Sequence, residues 1–346
     1  MEINEERIFD SDREDDYNVV SLRPKILKEY IGQSRIKKKL EIAIKATKIR
    51  REPIDHIILA GPPGLGKTTM AYVIANEMDS NIQITSGPVL EKAGDLAAIL
   101  TNLNSGDILF IDEIHRLNRS VEEILYSAME DFQLDIMIGK GPSARSIRID
   151  LQPFSLIGAT TRLGLIAPPL RSRFGIILEM NFYENEDLAH IVKRSAELLD
   201  VQIEDDASLI IGSRSRGTPR IANRLLKRVR DTVHVKNESL IKKNDVAETM
   251  SLLEIDDNGL DNMDRKILNA LIKNYNGGPA GINAIASSLG IEPETISEVY
   301  EPFLLQSGYV IRTHRGRVAT EKSYEVLGLK SPIKNENSLW EGENEI

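Results

Sequence analysis

The chain has 346 residues, 41% hydrophobic and 28% charged, and carries 53 acidic against 44 basic side chains for a formal net charge of −9. That length exceeds one average domain and that composition is ordinary for folded chains, so two or three compact units are expected and wholesale disorder is excluded. Without a single cysteine, disulfides, thiolate metal sites and cysteine nucleophiles are ruled out.

Residues 1–16 hold eight acids against two bases, and residues 331–346 hold four against one, so the two ends account for the whole charge imbalance. Both are polar and lack an apolar period, which describes mobile acidic tails. The N-terminus has no basic stretch with an apolar run behind it, so a secretory signal is not expected. No apolar run reaches the roughly 18 residues of a membrane span. The five histidines are scattered and form no local metal pattern. A cytoplasmic protein is the natural expectation.

From residue 36 to 49, Ile36, Leu40 and Ile44 recur at helical spacing and predict a helix with one buried face. The run Ile57-Ile58-Leu59 then predicts a strand, closed by a glycine-rich turn and followed by a helix over 68–78. A second buried strand, Ile108-Leu109-Phe110-Ile111, ends in Asp112-Glu113. A third, over 154–157, ends in Gly158-Ala159-Thr160-Thr161. Continuous apolar runs separated by helices predict parallel strands covered on both faces, a doubly wound α/β sheet. Between the second and third strands, residues 135–149 alternate loosely around Gly139-Lys140-Gly141-Pro142 and predict a projecting β-hairpin.

After Tyr183 the strand pattern stops. Residues 186–199, 205–215, 219–235 and 244–253 predict four helices of a small all-helical unit, with Pro219 suited to a first turn. An acidic connection over 254–259 leads to a third unit. There, Ile267, Leu268, Leu271 and Ile272 mark one helix, residues 282–289 a second, and residues 294–305 a third. Two short β-like runs follow, 309–313 and 317–320, joined through His314-Arg315-Gly316. Three helices and an arginine-rich hairpin predict a winged helix-turn-helix. The expected division is an acidic tail (1–16), an α/β domain (17–182), a helical domain (183–255), a winged helix (256–330) and a second tail (331–346).

Gly61-Pro62-Pro63-Gly64-Leu65-Gly66-Lys67-Thr68 fits the P-loop pattern and stands between a predicted strand and a predicted helix, as the mechanism requires. Glycines let backbone N–H groups close around phosphate oxygens at the positive end of the helix. Lys67 would bridge the β- and γ-phosphates of ATP, and the Thr68 hydroxyl would take Mg2+. Asp112, after four apolar residues, suits a carboxylate that holds Mg2+ through its water shell. Glu113 beside it can accept a proton from an attacking water, a group that a phosphate-transferring kinase does not need. Thr160 and Thr161 end the third strand, where either hydroxyl could orient that water. Arg171 and Arg173 follow a proline-pinned bend, either as ordinary surface residues or as guanidinium groups offered to a neighbour's γ-phosphate. Arg220 could close over the nucleotide from the helical domain.

Between Tyr309 and Lys322 lie Arg312, Arg315, Arg317 and Lys322 against Glu321 alone. A hairpin with that local charge can follow phosphate oxygens without reading sequence. Glu292, Glu294, Glu298 and Glu301 on the preceding helix would repel phosphate, so the wing is the expected contact. The residues by themselves admit a DNA motor, a nucleotide-switched module that assembles on DNA, and a sequence-specific regulator.

The phosphate loop, Asp112-Glu113-Ile114-His115-Arg116, residues 158–162 and residues 170–175 together resemble the AAA+ ATPases. Leu22-Arg23-Pro24, Tyr30-Ile31-Gly32-Gln33, the projecting hairpin and the terminal winged helix resemble, within them, the RuvB family of Holliday junction branch migration motors. The resemblance runs from about residue 17 to residue 330. It implies an ATP hydrolase coupled to DNA translocation, working as a homohexamer with RuvA, and with RuvC in the full complex. It also implies that Leu22 and Arg23 lie on the adenine side, that Gly61, Gly64, Gly66, Lys67, Thr68 and Thr69 hold phosphate, and that Tyr183 and Arg220 complete the nucleotide contacts. Thr161 is then the first sensor, with Thr160 the alternative, and Arg173 the arginine finger. Glu130, Asp131 and Phe132 match a tripeptide associated with nucleotide. Residues 133–151 match the hairpin that docks RuvA, and Arg312 and Arg317 the DNA-contacting arginines, with Arg315 between them.

Overall fold

A computed structural model describes residues 22–138 and 145–331; the acidic ends and the hairpin tip at Gly139-Lys140-Gly141-Pro142 lie outside the described residues. Two compact units divide between Lys242 and Lys243.

The first unit opens with helix α1 (Ser34–Arg50), whose buried face is Ile36, Leu40, Ile44 and Thr47. Strand β1 (Ile57–Ala60), α2 (Lys67–Glu77), β2 (Ile82–Ser86), α3 (Ala93–Leu100) and β3 (Ile108–Asp112) follow in alternation. Next come α4 (Arg119–Glu130), the hairpin strands β4 (Gln133–Ile138) and β5 (Arg145–Asp150), then β6 (Ser155–Thr160), α5 (Pro168–Arg171) and β7 (Ile176–Glu179). The main sheet has five strands in the order β2-β3-β6-β1-β7, and every pairing is parallel. Strands β1 and β6 are buried along their whole length, which is why they read as unbroken apolar runs. Two edge strands, β2 and β7, add to the three expected from sequence; their partial exposure leaves mixed residues that carry no such run.

A single parallel direction puts all five carboxyl ends along one edge. Gly61 follows β1, Asp112 ends β3 and Thr160 ends β6, so the motif residues gather where ligands bind in open α/β sheets. Below that edge lies a core that includes Leu109, Ile111, Ile114, Leu125, Phe154 and Phe174. The expected hairpin is present as antiparallel β4 and β5, paired from Gln133↔Asp150 to Ile138↔Arg145.

Three helices complete this unit: α6 (Asn185–Leu198), α7 (Asp205–Ser213) and α8 (Pro219–Val235). Pro219 occupies the first turn of α8, where its missing N–H costs no intrahelical bond. A short parallel pair, β8 (Gln202–Ile203) and β9 (Leu240–Ile241), ties the ends of the helical segment together.

The second unit begins with α9 (Lys243–Leu252) and α10 (Asn262–Tyr275), the latter started by a reciprocal capping box between Asp261 and Asp264. Helix α11 (Ile282–Leu289) follows. The third helix expected over 294–305 is broken in three: α12 (Pro293–Thr295), a π-turn (Ile296–Tyr300) and α13 (Glu301–Gln306). Pro302 in the first turn of α13 has no N–H to continue the preceding ladder, which accounts for the wide turn before it. Strands β10 (Val310–Thr313) and β11 (Gly316–Ala319) form the antiparallel wing, with Arg312 opposite Arg317. Helix α14 (Glu321–Val326), not expected from sequence, packs Tyr324 into the core formed by Leu268, Leu271, Tyr300, Leu304 and Tyr309.

Candidate functional site

Gly61, Gly64 and Gly66 all have positive φ, at 145°, 79° and 92°, a backbone that L side chains rarely adopt. Space is equally restrictive. A Cβ on Gly61 would stand 2.6 Å from the Met180 carbonyl, and one on Gly66 would stand 2.8 Å from the Tyr30 hydroxyl. The loop therefore has the bare backbone that a phosphate cradle needs, and α2 starts directly behind it.

Lys67 is 8% exposed. Its ammonium donates to the carbonyls of Gly61 at 2.8 Å and Pro62 at 2.9 Å. Burial lowers its pKa to about 8, against the opposing pull of Asp112 and Glu113. Asp112 is pushed up by its own burial, offset by the Glu113 N–H and by Lys67. The three groups thus share one field, as a site built for polyphosphate and a cation requires. Glu113 has a left-handed backbone, φ 47°; its N–H donates to Asp112 at 2.9 Å and its carboxylate pairs with Arg116 at 3.0 Å. Thr68 and Asp112 supply oxygen ligands of the kind Mg2+ prefers, and one or two protein oxygens suffice for an ion that also takes water and phosphate.

The two threonines after β6 separate clearly. Thr160 is 1% exposed; its hydroxyl lies 3.0 Å from His115 Nδ1 and accepts from the Arg162 N–H at 2.9 Å. Thr161 is exposed. Thr160 is occupied within the fold, which leaves Thr161 the hydroxyl presented at the strand end.

Leu22 is buried and its carbonyl accepts from Arg194 at 2.8 Å. Arg23 stacks over Tyr72 at 5.2 Å, and its Nε is buried without a hydrogen-bond partner among the described residues. A buried donor left open fits a polar ligand at that point. The Tyr183 hydroxyl lies 3.1 Å from the Tyr30 hydroxyl and 3.3 Å from the Leu65 carbonyl, either of which can accept its proton, while its N–H donates to the Gly217 carbonyl at 2.9 Å. Burial pushes the Tyr183 phenol up to about 12, so it remains a donor. Thr218 and Arg220, at the start of α8, lie against Gly64, with the Arg220 Cβ 3.3 Å from the position of a Cβ on that glycine. The helical segment therefore closes over the phosphate loop within one compact unit.

Arg173 lies after α5 and reaches back to the end of α4. Its Nε donates to the Tyr126 carbonyl at 3.2 Å, Nη1 to the Pro169 carbonyl at 2.8 Å and Nη2 to Glu130 at 2.6 Å; the guanidinium stacks over the Tyr126 ring at 4.8 Å. Arg171 is exposed. Sequence reasoning found Glu130-Asp131-Phe132 by resemblance alone, and the fold supplies physical roles for two of the three. Glu130 holds Arg173. Phe132, at φ 52°, meets Phe154 edge-on at 5.9 Å and accepts the Leu151 N–H at 2.7 Å, which anchors the hairpin base.

The wing is less uniformly basic than its sequence suggests. Arg312 and Arg315 are exposed. Arg317, by contrast, makes a two-point pair with Glu301, Nε at 2.6 Å and Nη2 at 3.0 Å, and those side chains are only 13% and 6% exposed. Its backbone is fixed as well, by exchange with Ala280 at 2.8 and 2.9 Å. Lys322 folds over Tyr309 and donates to the Ser307 carbonyl. One expectation is corrected here: Glu301 does not belong to the phosphate-repelling face, because it is buried and paired with Arg317.

Three family profiles tile the chain: the Holliday junction DNA helicase RuvB P-loop domain over residues 22–180, the RuvB AAA lid domain over 183–256 and the RuvB C-terminal winged helix domain over 257–328. The chain belongs to the RuvB family. Among its relatives, the Holliday junction branch migration complex subunit RuvB of Kosmotoga olearia is 65% identical over 309 residues, covering 89% of this chain and 90% of the relative. The Thermotoga maritima RuvB subunit is 62% identical over 325 residues, 94% and 96% of the two chains. A solved structure of Thermotoga maritima RuvB, described as a Holliday junction branch migration motor, superposes with a TM-score of 0.83 at 58% identity, covering 90% of this chain and all of that one. The AAA+ architecture expected from sequence, with parallel core, helical lid and winged helix, is therefore that of the RuvB family. No helix among the described residues is long and apolar enough to cross a membrane.

Proposed function

We propose that this chain is an ATP-driven motor of Holliday junction branch migration, which hydrolyses ATP to draw duplex DNA through a four-way junction in recombination and repair. The observation that carries this reading is the junction of two features in one RuvB-family chain. A phosphate loop and a Walker-type carboxylate share one edge of the sheet, and a winged helix with exposed arginines completes the chain.

In this reading Lys67 and the loop N–H groups hold the β- and γ-phosphates, Thr69 flanks them, and Leu22, Arg23 and Tyr183 enclose the nucleoside side. Mg2+, held by Thr68 and Asp112, would neutralise charge on the phosphate oxygens. Glu113 orients and deprotonates the attacking water, swinging from Arg116 as it does so, and Thr161 fixes that water's position. Arg220 senses the γ-phosphate from the lid. Arg173 acts on the nucleotide of the next subunit, an arrangement that asks for a head-to-tail ring, here a homohexamer around DNA. Arginine fingers given in trans contribute about 10³–10⁵ in rate in characterised NTPases, so an isolated subunit hydrolyses ATP poorly. Arg312, Arg315 and Arg317 follow the DNA backbone with little sequence preference. Residues 133–151 dock RuvA, RuvC joins the full assembly, and the site of action is the cytoplasm.

The test is four-way-junction dissociation with ATP, with and without RuvA. The parent is expected to dissociate junctions and Lys67→Ala to fail. Equal activity of the two, or DNA binding without ATP-dependent movement, would replace the motor by a nucleotide-switched binding module.

A further inference from the structure

We infer that Glu130 and Tyr126 are positioning residues for the arginine finger, holding the Arg173 guanidinium so that two of its N–H donors are left for a neighbour's phosphoryl group. This rests on the reading of Arg173 as a group that acts in trans.

The geometry follows from counting donors. A guanidinium has five N–H groups in one plane. The Nε–H goes to the Tyr126 carbonyl at 3.2 Å and one Nη2–H to Glu130 at 2.6 Å. One Nη1–H goes to the Pro169 carbonyl at 2.8 Å. What remains is one hydrogen on each Nη. Both lie in the guanidinium plane and are left for the oxygens of a phosphoryl group, which accept charge-assisted hydrogen bonds of this kind. The Tyr126 ring under the guanidinium, 4.8 Å from it, fixes the plane itself. The plane of the group and three of its five donors are set by its own subunit, and two coplanar donors are left.

Stability does not explain the arrangement. The Glu130 side chain is 62% exposed, and exposed ion pairs contribute little to folding. A carboxylate beside a finger also withdraws charge from it, a cost that only orientation offsets. Misplacing a reacting group by about 1 Å can cost on the order of 10²-fold in rate, so the orientation carries the larger effect. Tyr126 also explains why the finger is reached from α4: the same turn of helix provides the ring, the accepting carbonyl and, one turn later, the carboxylate.

The experiment uses the full chain with DNA and measures steady-state ATP hydrolysis and fluorescent-nucleotide binding for Arg173→Ala, Glu130→Ala, Glu130→Gln and Tyr126→Leu. Glu130→Ala is expected to lower kcat by roughly tenfold to a hundredfold with KM and nucleotide affinity unchanged, because the finger meets the neighbour's phosphate in the transition state. Glu130→Gln keeps a carbonyl acceptor for Nη2 and is expected to recover most of that loss. Tyr126→Leu is expected to lower kcat in the same way. A structural role alone would lower the melting temperature without the split between kcat and KM. Turnover in Glu130→Ala that is unchanged or faster would overturn the inference, a faster rate making the carboxylate a brake. If Arg173→Ala itself turned over normally, the failure would lie with the finger reading instead.

Discussion

Replacing Arg317 by alanine tests how the wing is built. The change leaves the Glu301 carboxylate, 6% exposed, facing a space that held two charge-assisted hydrogen bonds at 2.6 and 3.0 Å. Removing one partner of such a buried pair costs about 3–5 kcal/mol, most of it the uncompensated charge left behind. A domain of 60–100 residues loses about 4–8 °C for each kcal/mol, so the winged helix should melt roughly 12–40 °C lower. The double variant Glu301→Leu with Arg317→Met removes both charges, keeps the volume filled and is expected to recover most of the loss. Arg312→Ala, at an exposed position, should leave stability within about 0.5 kcal/mol. Its effect belongs to DNA: one phosphate contact fewer lowers the slope of log affinity against log salt by about 0.9. Urea unfolding and duplex binding at three salt concentrations read both quantities. A stability loss under about 1 kcal/mol in Arg317→Ala would refute the buried-pair reasoning, and an unchanged slope in Arg312→Ala would refute the wing as the phosphate contact.

Lys67 predicts a pH dependence. Its pKa in the fold, about 8, lies below the ordinary 10.5, so the folded chain gives up a proton more readily than the unfolded one. Stability without nucleotide therefore rises, relative to Lys67→Met, as pH climbs from about 8 to 10.5, and ADP binding weakens over the same range as the ammonium is lost; pH-resolved melting and titration of the two proteins check both signs. Thr161→Val is expected to lower ATP turnover at least about tenfold with stability unchanged, whereas Thr160→Val should chiefly destabilise the fold by removing the hydroxyl that meets His115 and accepts the Arg162 N–H. Equal behaviour of the two variants in kinetics and melting would contradict the separation of their roles.

The sequence made the middle of the sheet legible because β1, β3 and β6 are buried on both faces and their runs are continuous. Edge strands β2 and β7 carry Gln83, Thr85 and Glu179 facing partly to solvent, so no periodicity marks them. Lid helices were legible from their 3.6-residue stripes, and the phosphate loop from its spacing. The side-chain pairs that define the site were not. Glu130 meets Arg173 across 43 residues of chain, Tyr30 meets Tyr183 across 153, and Glu301 meets Arg317 across 16 through a turn broken by Pro302. Such pairs depend on how strands and helices are stacked, which a local pattern does not encode. For the same reason a simple charge count overstated the wing, since two of its four cations, Arg317 and Lys322, fold back onto the domain.

The most direct test of a hydrolytic site shared between two subunits is a mixing experiment. Glu113→Gln lacks the base on one side of the seam, and Arg173→Ala lacks the finger on the other. Each alone should be nearly inactive in ATP hydrolysis, while co-assembled mixtures regain activity at the interfaces that combine an intact Glu113 with an intact Arg173. Mixed assemblies that form, bind nucleotide and still show no recovery at any ratio would contradict the account.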